Sequence, residues 1–202
     1  MAIYECCVTN YNEAVKAEAK GANRIELCEN LALGGTTPSY GTIKSVVNKL
    51  KIPTMVMIRP RGGDFEFNNE EVIIMLEDIR IAKSIGAHGI VIGALKNGKI
   101  DLEITKKLIE EAKPMEITFH MAFDEIENQY EAIEQLIGLG VDRILTKGCL
   151  TNALDGKENI KKYIEYANNR IVIMPGCKVT YENKHNLMEY TSAIEVHGTK
   201  IV

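Results

Sequence analysis

Two arginines stand together at the end of an apolar segment of the chain. The segment from Thr54 to Ile58 is followed by the run Arg-Pro-Arg-Gly-Gly-Asp at positions 59–64. A guanidinium group is planar and binds a carboxylate or a phosphate through two hydrogen bonds. We therefore expect Arg59 and Arg61 to bind an anionic ligand. The alternative is that they pair with acids of the protein itself, such as Asp64.

Two other segments share the pattern Glu-x-Cys, ending at Cys7 and at Cys28. In a strand, alternate side chains point to the same face. Because acids avoid an apolar helix layer, Glu5 and Glu26 are expected to face the other way, and the same parity carries Cys7 and Cys28 with them. Two thiols at this level of adjacent strands could share a soft metal ion. The alternative is that both thiols are buried as small apolar side chains, as Cys6 of opposite parity should be.

A histidine follows the fifth predicted strand. Since imidazole titrates near neutral pH, His120 could act as an acid or base, with Glu5 as a second residue for proton transfer. The alternative is that His120 forms a hydrogen bond with Asp124 and holds a loop. Asp124, and Lys147 after the sixth strand, complete the residues expected around an anionic ligand.

Eight short β-rich segments alternate with amphipathic segments. The β-rich segments begin near residues 3, 24, 54, 89, 116, 143, 170 and 193. The alternation predicts a parallel sheet, and eight such strands close most simply into a (β/α)8 TIM barrel spanning residues 1–202 as a single domain. An open doubly wound sheet would require a glycine-rich fingerprint after the first strand, and the run Val-Thr-Asn-Tyr at 8–11 is not one.

The last repeat is short. After the eighth β-rich segment only Gly198 to Val202 remain, too few residues for a covering helix. We therefore predict a short barrel that lacks a full eighth helix and has an apolar flank near strands eight and one. A second copy of the chain is expected to cover that flank, giving a homodimer.

Composition limits the function classes. The formal net charge of −4 provides no overall attraction for nucleic acid or for an anionic membrane surface. No apolar run approaches the roughly 20 residues of a spanning helix, and the N-terminal residues do not form a signal peptide. Together with five cysteines, these features predict a soluble cytoplasmic protein with reduced thiols and no nucleic-acid or membrane partner.

The run Met-Ile-Arg-Pro-Arg-Gly-Gly-Asp-Phe at 57–65 resembles the signature of the CutC family of copper homeostasis proteins. Similar segments follow in family order at 25–28, 31–39, 89–95, 118–124, 142–146 and 173–176. The resemblance implies a role in copper homeostasis, with Cys7 and Cys28 matching cysteines of the family pattern. Met57 and His120 could supply further copper ligands.

The chain departs from this resemblance in two loops. CutC proteins usually have Thr-Ser-Gly-Gly after strand six, where this chain has Thr-Lys-Gly-Cys at 146–149. They usually have Met-Pro-Gly-Gly-Gly-Val after strand seven, where it has Met-Pro-Gly-Cys-Lys-Val at 174–179. Glycine loops late in a barrel often hold phosphate through backbone N–H groups, so these changes weaken such a cradle. Cys149 and Cys177 add two thiols at the mouth.

Two functions therefore remain open from the sequence. The first is a cytoplasmic copper homeostasis protein that binds Cu(I) through thiols at the barrel mouth. The second is a TIM-barrel enzyme acting on a small anionic metabolite, a carboxylate or a phosphate. Arg59 and Arg61 would anchor that metabolite, and His120 and Glu5 would transfer protons.

Overall fold

Eight parallel strands form a nearly closed barrel in the computed structural model, which describes residues 2–149 and 151–202. The strands are β1 (Ile3–Val8), β2 (Arg24–Leu27), β3 (Thr54–Met57), β4 (Gly89–Ile92), β5 (Glu116–Phe119), β6 (Arg143–Thr146), β7 (Val172–Pro175) and β8 (Glu195–Gly198). The predicted TIM barrel is confirmed. The first six strands begin where the sequence indicates, and the last two begin two residues later.

Seven α-helices cover the barrel in the described ranges. They are α1 (Tyr11–Ala19), α2 (Tyr40–Lys49), α3 (Asn69–Ile85), α4 (Leu102–Ala112), α5 (Gln129–Leu139), α6 (Lys157–Ala167) and α7 (Lys184–Thr191). Polar N-caps begin several of them, and Asn68 and Glu71 form a reciprocal capping box at α3. None of the described helices is both long and apolar enough to span a bilayer.

The register of the first strands sets the level of each side chain in the lumen. Parallel ladders join β8 to β1 and β1 to β2. Glu5 lies opposite His197 of β8, whereas Cys7 lies opposite Glu26 of β2. These four residues therefore occupy neighbouring levels on three adjacent strands.

Strand parity divides the buried residues into two sets. Alternate residues such as Ile25, Val56 and Ile90 pack in the large core between the strands and the helices, and Cys6 belongs to this core. The residues of the other parity form a separate buried cluster, which consists of Cys7, Cys28, Met55, Met57 and Val91. The predicted directions of Cys6, Cys7 and Cys28 are therefore confirmed.

The segment after β8 folds back onto the barrel. Ile201 is fully buried, and its carbonyl oxygen accepts a hydrogen bond of 2.8 Å from the Lys184 ammonium, which lies over the ring of Tyr4. Within the part of the chain that the structure describes, no helix follows β8, as predicted. Ile194, just before β8, and Tyr181, before α7, are both more than half exposed.

Candidate functional site

Charged side chains fill the lower part of the lumen. The guanidinium of Arg24 binds the carboxylates of Glu5 and Glu195. Arg143 lies 2.7 Å from Glu116 and 3.3 Å from Glu195. Buried charges are costly unless they are paired. These ion pairs compensate the burial of the charged groups at the base of the barrel, below the residues nearer the mouth.

Glu5 connects this network of ion pairs to the groups nearer the mouth. Burial by itself would raise the pKa of Glu5, but the charge of Arg24 and a hydrogen bond with His197 hold it at about 2. The Oε1 atom of Glu5 lies 2.8 Å from Nδ1 of His197. The Glu5 carboxylate is therefore ionised near neutral pH and already has partners on both oxygens, which gives little support to a role in proton transfer.

The two predicted thiols meet directly above. The Sγ atoms of Cys7 and Cys28 are 3.6 Å apart, and both residues are buried. The hydrogen bond with Cys28 and the burial of the group raise the pKa of the Cys7 thiol well above its usual value. Met57 packs in the same buried cluster and brings a thioether to it.

The distance between the sulfurs has a geometric consequence. With metal–sulfur bonds of about 2.3 Å, a separation of 3.6 Å corresponds to an S–metal–S angle of about 100°. A linear two-coordinate Cu(I) would require about 4.6 Å between the same atoms. The pair as it stands therefore fits a bent arrangement with a third ligand, and Met57 is the soft donor in its cluster.

Two further donors lie beside Cys7. Its Sγ atom, a carboxylate oxygen of Glu26 and a ring nitrogen of His197 all lie within 4.8 Å of one another. All three residues are at least nine-tenths buried. Sequence reasoning placed Glu26 beside the thiols by strand parity and adjacency but did not join His197 to them, because that contact depends on β8 closing against β1.

His120 lies at the same mouth but has different partners from those predicted. Its Nδ1 accepts a hydrogen bond of 3.2 Å from the backbone N–H of Ala122, and its ring lies 4.9 Å from that of Phe65. Burial, together with the charge of Arg59, lowers the pKa of His120 to about 3. The imidazole is therefore neutral near pH 7, which gives little support to a role as a catalytic acid.

Asp124 does not share a hydrogen bond with His120, so the predicted alternative pairing is wrong. Its carboxylate accepts hydrogen bonds from the Thr146 hydroxyl at 2.5 Å and from the Lys147 backbone N–H at 2.9 Å. Burial raises the pKa of this carboxyl above its usual value. Asp124 thus joins the loops after β5 and β6. Lys147 contacts it through the backbone N–H.

Arg59 forms hydrogen bonds with backbone carbonyl oxygens of two loops. Its guanidinium donates hydrogen bonds to the carbonyl oxygens of Leu33 at 3.0 Å, Gly35 at 3.1 Å and Gly63 at 2.6 Å. It also lies over the ring of Phe65, 4.6 Å from the ring centre. Most of its donors are therefore used to hold loops together, an arrangement that neither sequence alternative anticipated.

Arg61 follows the alternative of pairing with acids of the protein. Its guanidinium lies 3.0 Å from Asp64 and 2.5 Å from Glu71, and its side chain is 37% exposed. Glu71 is the capping-box residue of α3. The pair therefore fixes the loop after β3 to the start of that helix.

A cavity of about 520 Å³ opens at the carboxyl ends of the strands. Its lining includes Cys7, Glu26, Met57, His120 and His197. Two lysines, Lys178 and Lys200, also line it. The donor atoms of β1, β2 and β8 therefore have a route to the barrel mouth, where sites of this fold lie.

The loop after β7 carries a backbone that usually favours glycine. Cys177 and Lys178 have φ angles of 70° and 59°. The Cys177 Sγ lies 3.6 Å from the carbonyl oxygen of Thr151, and the Cys149 Sγ lies 3.2 Å from the hydroxyl of the same residue. Cys177 lines the mouth cavity, whereas the Sγ of Cys149 lies 3.3 Å from the carbonyl oxygen of Asn152 in the loop after β6.

The fold, the cavity and the buried donor atoms identify the protein as a (β/α)8 barrel with a polar lumen that contains thiols. Residues 2–202 match the CutC family, and the chain belongs to that family. A CutC family protein of Enterococcus faecalis (strain ATCC 700802 / V583) is 47% identical over 208 residues, which cover 99% of this chain and 100% of that one.

Two further comparisons agree. The copper homeostasis protein cutC homolog of Homo sapiens is 46% identical over 196 residues, covering 96% of this chain and 72% of the human protein. The crystal structure of a CutC protein from Streptococcus agalactiae superposes with a TM-score of 0.96 at 40% identity and covers all of both chains. The resemblance inferred from the motifs is therefore confirmed.

Proposed function

We propose that this CutC family member serves copper homeostasis by binding Cu(I) directly, as cargo, between Cys7 and Cys28. The observation that carries the proposal is the 3.6 Å separation of their sulfurs in a buried cluster. Soft thiolate and thioether ligands select Cu(I), and Met57 supplies the third ligand that the bent geometry requires. Copper would reach the pair through the mouth cavity.

Burial of the pair supports copper selectivity in a second way. Cys28 is fully buried and Cys7 is 5% exposed. Burial protects the thiols from oxidants in solution. The same burial keeps the Cys7 thiol protonated, so copper loading releases a proton from it.

The compartment and assembly state belong to the same proposal. All five cysteines are free, which agrees with a reducing cytoplasm. A homodimer in which a second copy covers the flank of β8 and β1 is part of this proposal, and the exposed Ile194 would lie in that interface. Light scattering that shows only monomer at micromolar concentration would contradict the dimer.

The enzymatic alternative receives less support from the geometry. Arg59 binds three carbonyl oxygens, Arg61 pairs with two acids, and His120 is neutral near pH 7. An anionic metabolite would have to compete with those partners, since among the described residues only the Nε of Arg59 has none. Cu(I), by contrast, would bind between two soft ligands, the thiols of Cys7 and Cys28, with little movement of either.

An anaerobic Cu(I) competition titration against a strong chelator tests the copper proposal. We expect the Cys7→Ser/Cys28→Ser protein to bind Cu(I) at least about 100-fold more weakly than wild type, because ligand loss should exceed the effect of outer-shell changes. Cys6→Ser is the matched control, since Cys6 is the neighbouring thiol on the helix side of the same strand. It should bind copper as wild type does.

Equal affinity in the double variant and wild type would eliminate the pair. Cys149 and Cys177 would then be the next thiols to test. No competitive binding by the wild type would remove direct copper binding from the proposal altogether.

A further inference from the structure

Glu26 is a buried carboxylate without a full complement of partners. The residue is 3% exposed, and its Oε1 atom has no hydrogen-bond partner. Within residues 2–149 and 151–202, no lysine or arginine lies within 4.0 Å of it, because Arg24 is engaged by Glu5 and Glu195. A buried carboxylate with one oxygen that lacks a partner is costly, so it marks a place where a cation fits.

His197 is oriented toward the same place. Its Nδ1 is held by the Glu5 carboxylate at 2.8 Å, and its Nε2 lies 3.6 Å from the Oε2 atom of Glu26. A carboxylate that holds one ring nitrogen while the other faces a donor cluster is the usual outer arrangement of a metal-ligating histidine. Arg24 in turn anchors Glu5.

We propose that Cys7, Glu26 and His197 form a binding site for a divalent transition-metal ion of the zinc class. Their ligand atoms lie within 4.8 Å of one another. One sulfur, one imidazole nitrogen and one carboxylate oxygen are the ligands that Zn²⁺ takes, with bonds of about 2.0–2.3 Å, so the three atoms would move closer together around an ion. The cavity leaves a fourth position open.

This site differs from the copper pair in its chemistry. Cu(I) would use Cys28 and Met57, which are soft, whereas the divalent ion would use Glu26 and His197, which are harder. Cys7 belongs to both sets, so the two ions compete for one thiolate. The site does not depend on Cu(I) binding, and it would exist if the copper proposal failed.

The test measures Zn²⁺ affinity by competition with a chelating indicator and the absorption of Co²⁺ as a spectroscopic substitute. We expect Glu26→Gln and His197→Gln each to weaken Zn²⁺ binding by at least about tenfold, and Cys7→Ser to remove the thiolate-to-cobalt absorption. Cys28→Ser should keep divalent binding while losing Cu(I). Cys6→Ser should keep both.

Each outcome decides the proposal. Zn²⁺ binding that is absent in wild type, or unchanged in both Glu26→Gln and His197→Gln, would overturn it. Circular dichroism establishes that each variant is folded, and Zn²⁺ should raise the unfolding midpoint of wild type but not of folded Glu26→Gln. If neither variant folds, the cobalt spectra of wild type and Cys7→Ser decide: a thiolate band that Cys7→Ser removes supports the site, and a band that is absent in wild type or kept in Cys7→Ser overturns it.

Discussion

The Nδ1 atom of His197 lies 2.8 Å from the Oε1 atom of Glu5, and this contact joins the last strand of the barrel to the first. The two residues are opposite each other in the β1–β8 ladder. Through Arg24, the same carboxylate is connected to Glu195 near the start of β8. The seam of the barrel is therefore held by charged groups in addition to backbone hydrogen bonds.

The first prediction concerns this seam. Glu5→Gln removes the negative charge that both Arg24 and His197 contact, and Arg24 retains only Glu195. Breaking one side of a buried charge network is costly because the other charge stays buried. We expect the free energy of unfolding to fall by about 3 kcal/mol, as measured by denaturant titration of the metal-free protein.

An exposed ion pair provides the control for that experiment. Glu103 and Lys107 are 2.7 Å apart on the surface of α4. Exposed pairs contribute little to stability, so Glu103→Gln should leave the unfolding midpoint unchanged. If Glu5→Gln were equally harmless, the seam network would have to be regarded as energetically neutral.

Strand parity explains why much of the lumen could be predicted. The period of two in β1 and β2 fixes which side chains face inward once one acid is placed, and Cys7 and Cys28 follow from Glu5 and Glu26. The cluster of Cys7 with Glu26 and His197 required more than parity. It depends on the register of β8 against β1, which brings together residues 171 positions or more apart, and no local pattern encodes this.

The hydrogen-bond partners of Arg59 could not be predicted from the sequence, for a different reason. The sequence places Arg59 at the end of β3, but its partners are carbonyl oxygens of two loops. Every residue has a carbonyl oxygen, so nothing in the sequence distinguishes these three. Only the path of the loops over the barrel selects them. The acidic partner of Arg61 at position 64 was accessible to sequence reasoning because it is three residues away.

The second prediction concerns the loop after β7. Cys177 and Lys178 adopt φ angles of 70° and 59°, at positions where the CutC pattern usually has glycine. A left-handed conformation costs a non-glycine residue about 1–2 kcal/mol, and part of the gain from glycine is offset by its entropy in the unfolded chain. We expect Cys177→Gly and Lys178→Gly each to raise the free energy of unfolding by about 0.5–1 kcal/mol.

Cys149→Gly is the control for the loop variants. Cys149 is the other thiol that replaces a family glycine, but it is not among the described residues with positive φ. Glycine there relieves no backbone strain and should give no gain in stability. Equal stabilisation by all three substitutions in thermal unfolding would show that the backbone conformation is not the cause.

The last prediction concerns the pH dependence of stability. His120 is buried, and burial together with the neighbouring charge of Arg59 lowers its pKa from 6.5 to about 3. Between these two values the unfolded chain binds a proton that the folded protein does not bind. Stability is therefore fully present above about pH 6.5 and is lost as the pH falls, by up to about 1.4 kcal/mol per pH unit. Between pH 7 and pH 5 this residue should cost about 2 kcal/mol.

His120→Asn isolates that contribution. The amide oxygen of asparagine can still accept the hydrogen bond from the Ala122 backbone N–H, but the side chain cannot be protonated in this range. We expect the variant to lose about 2 kcal/mol less than wild type between pH 7 and pH 5 in denaturant titrations of the metal-free protein. His185→Asn, which alters an exposed histidine of α7, should lose as much as wild type. Parallel pH curves for wild type and His120→Asn would mean that the buried imidazole is protonated in the folded protein, and its neutral state near the barrel mouth would have to be abandoned.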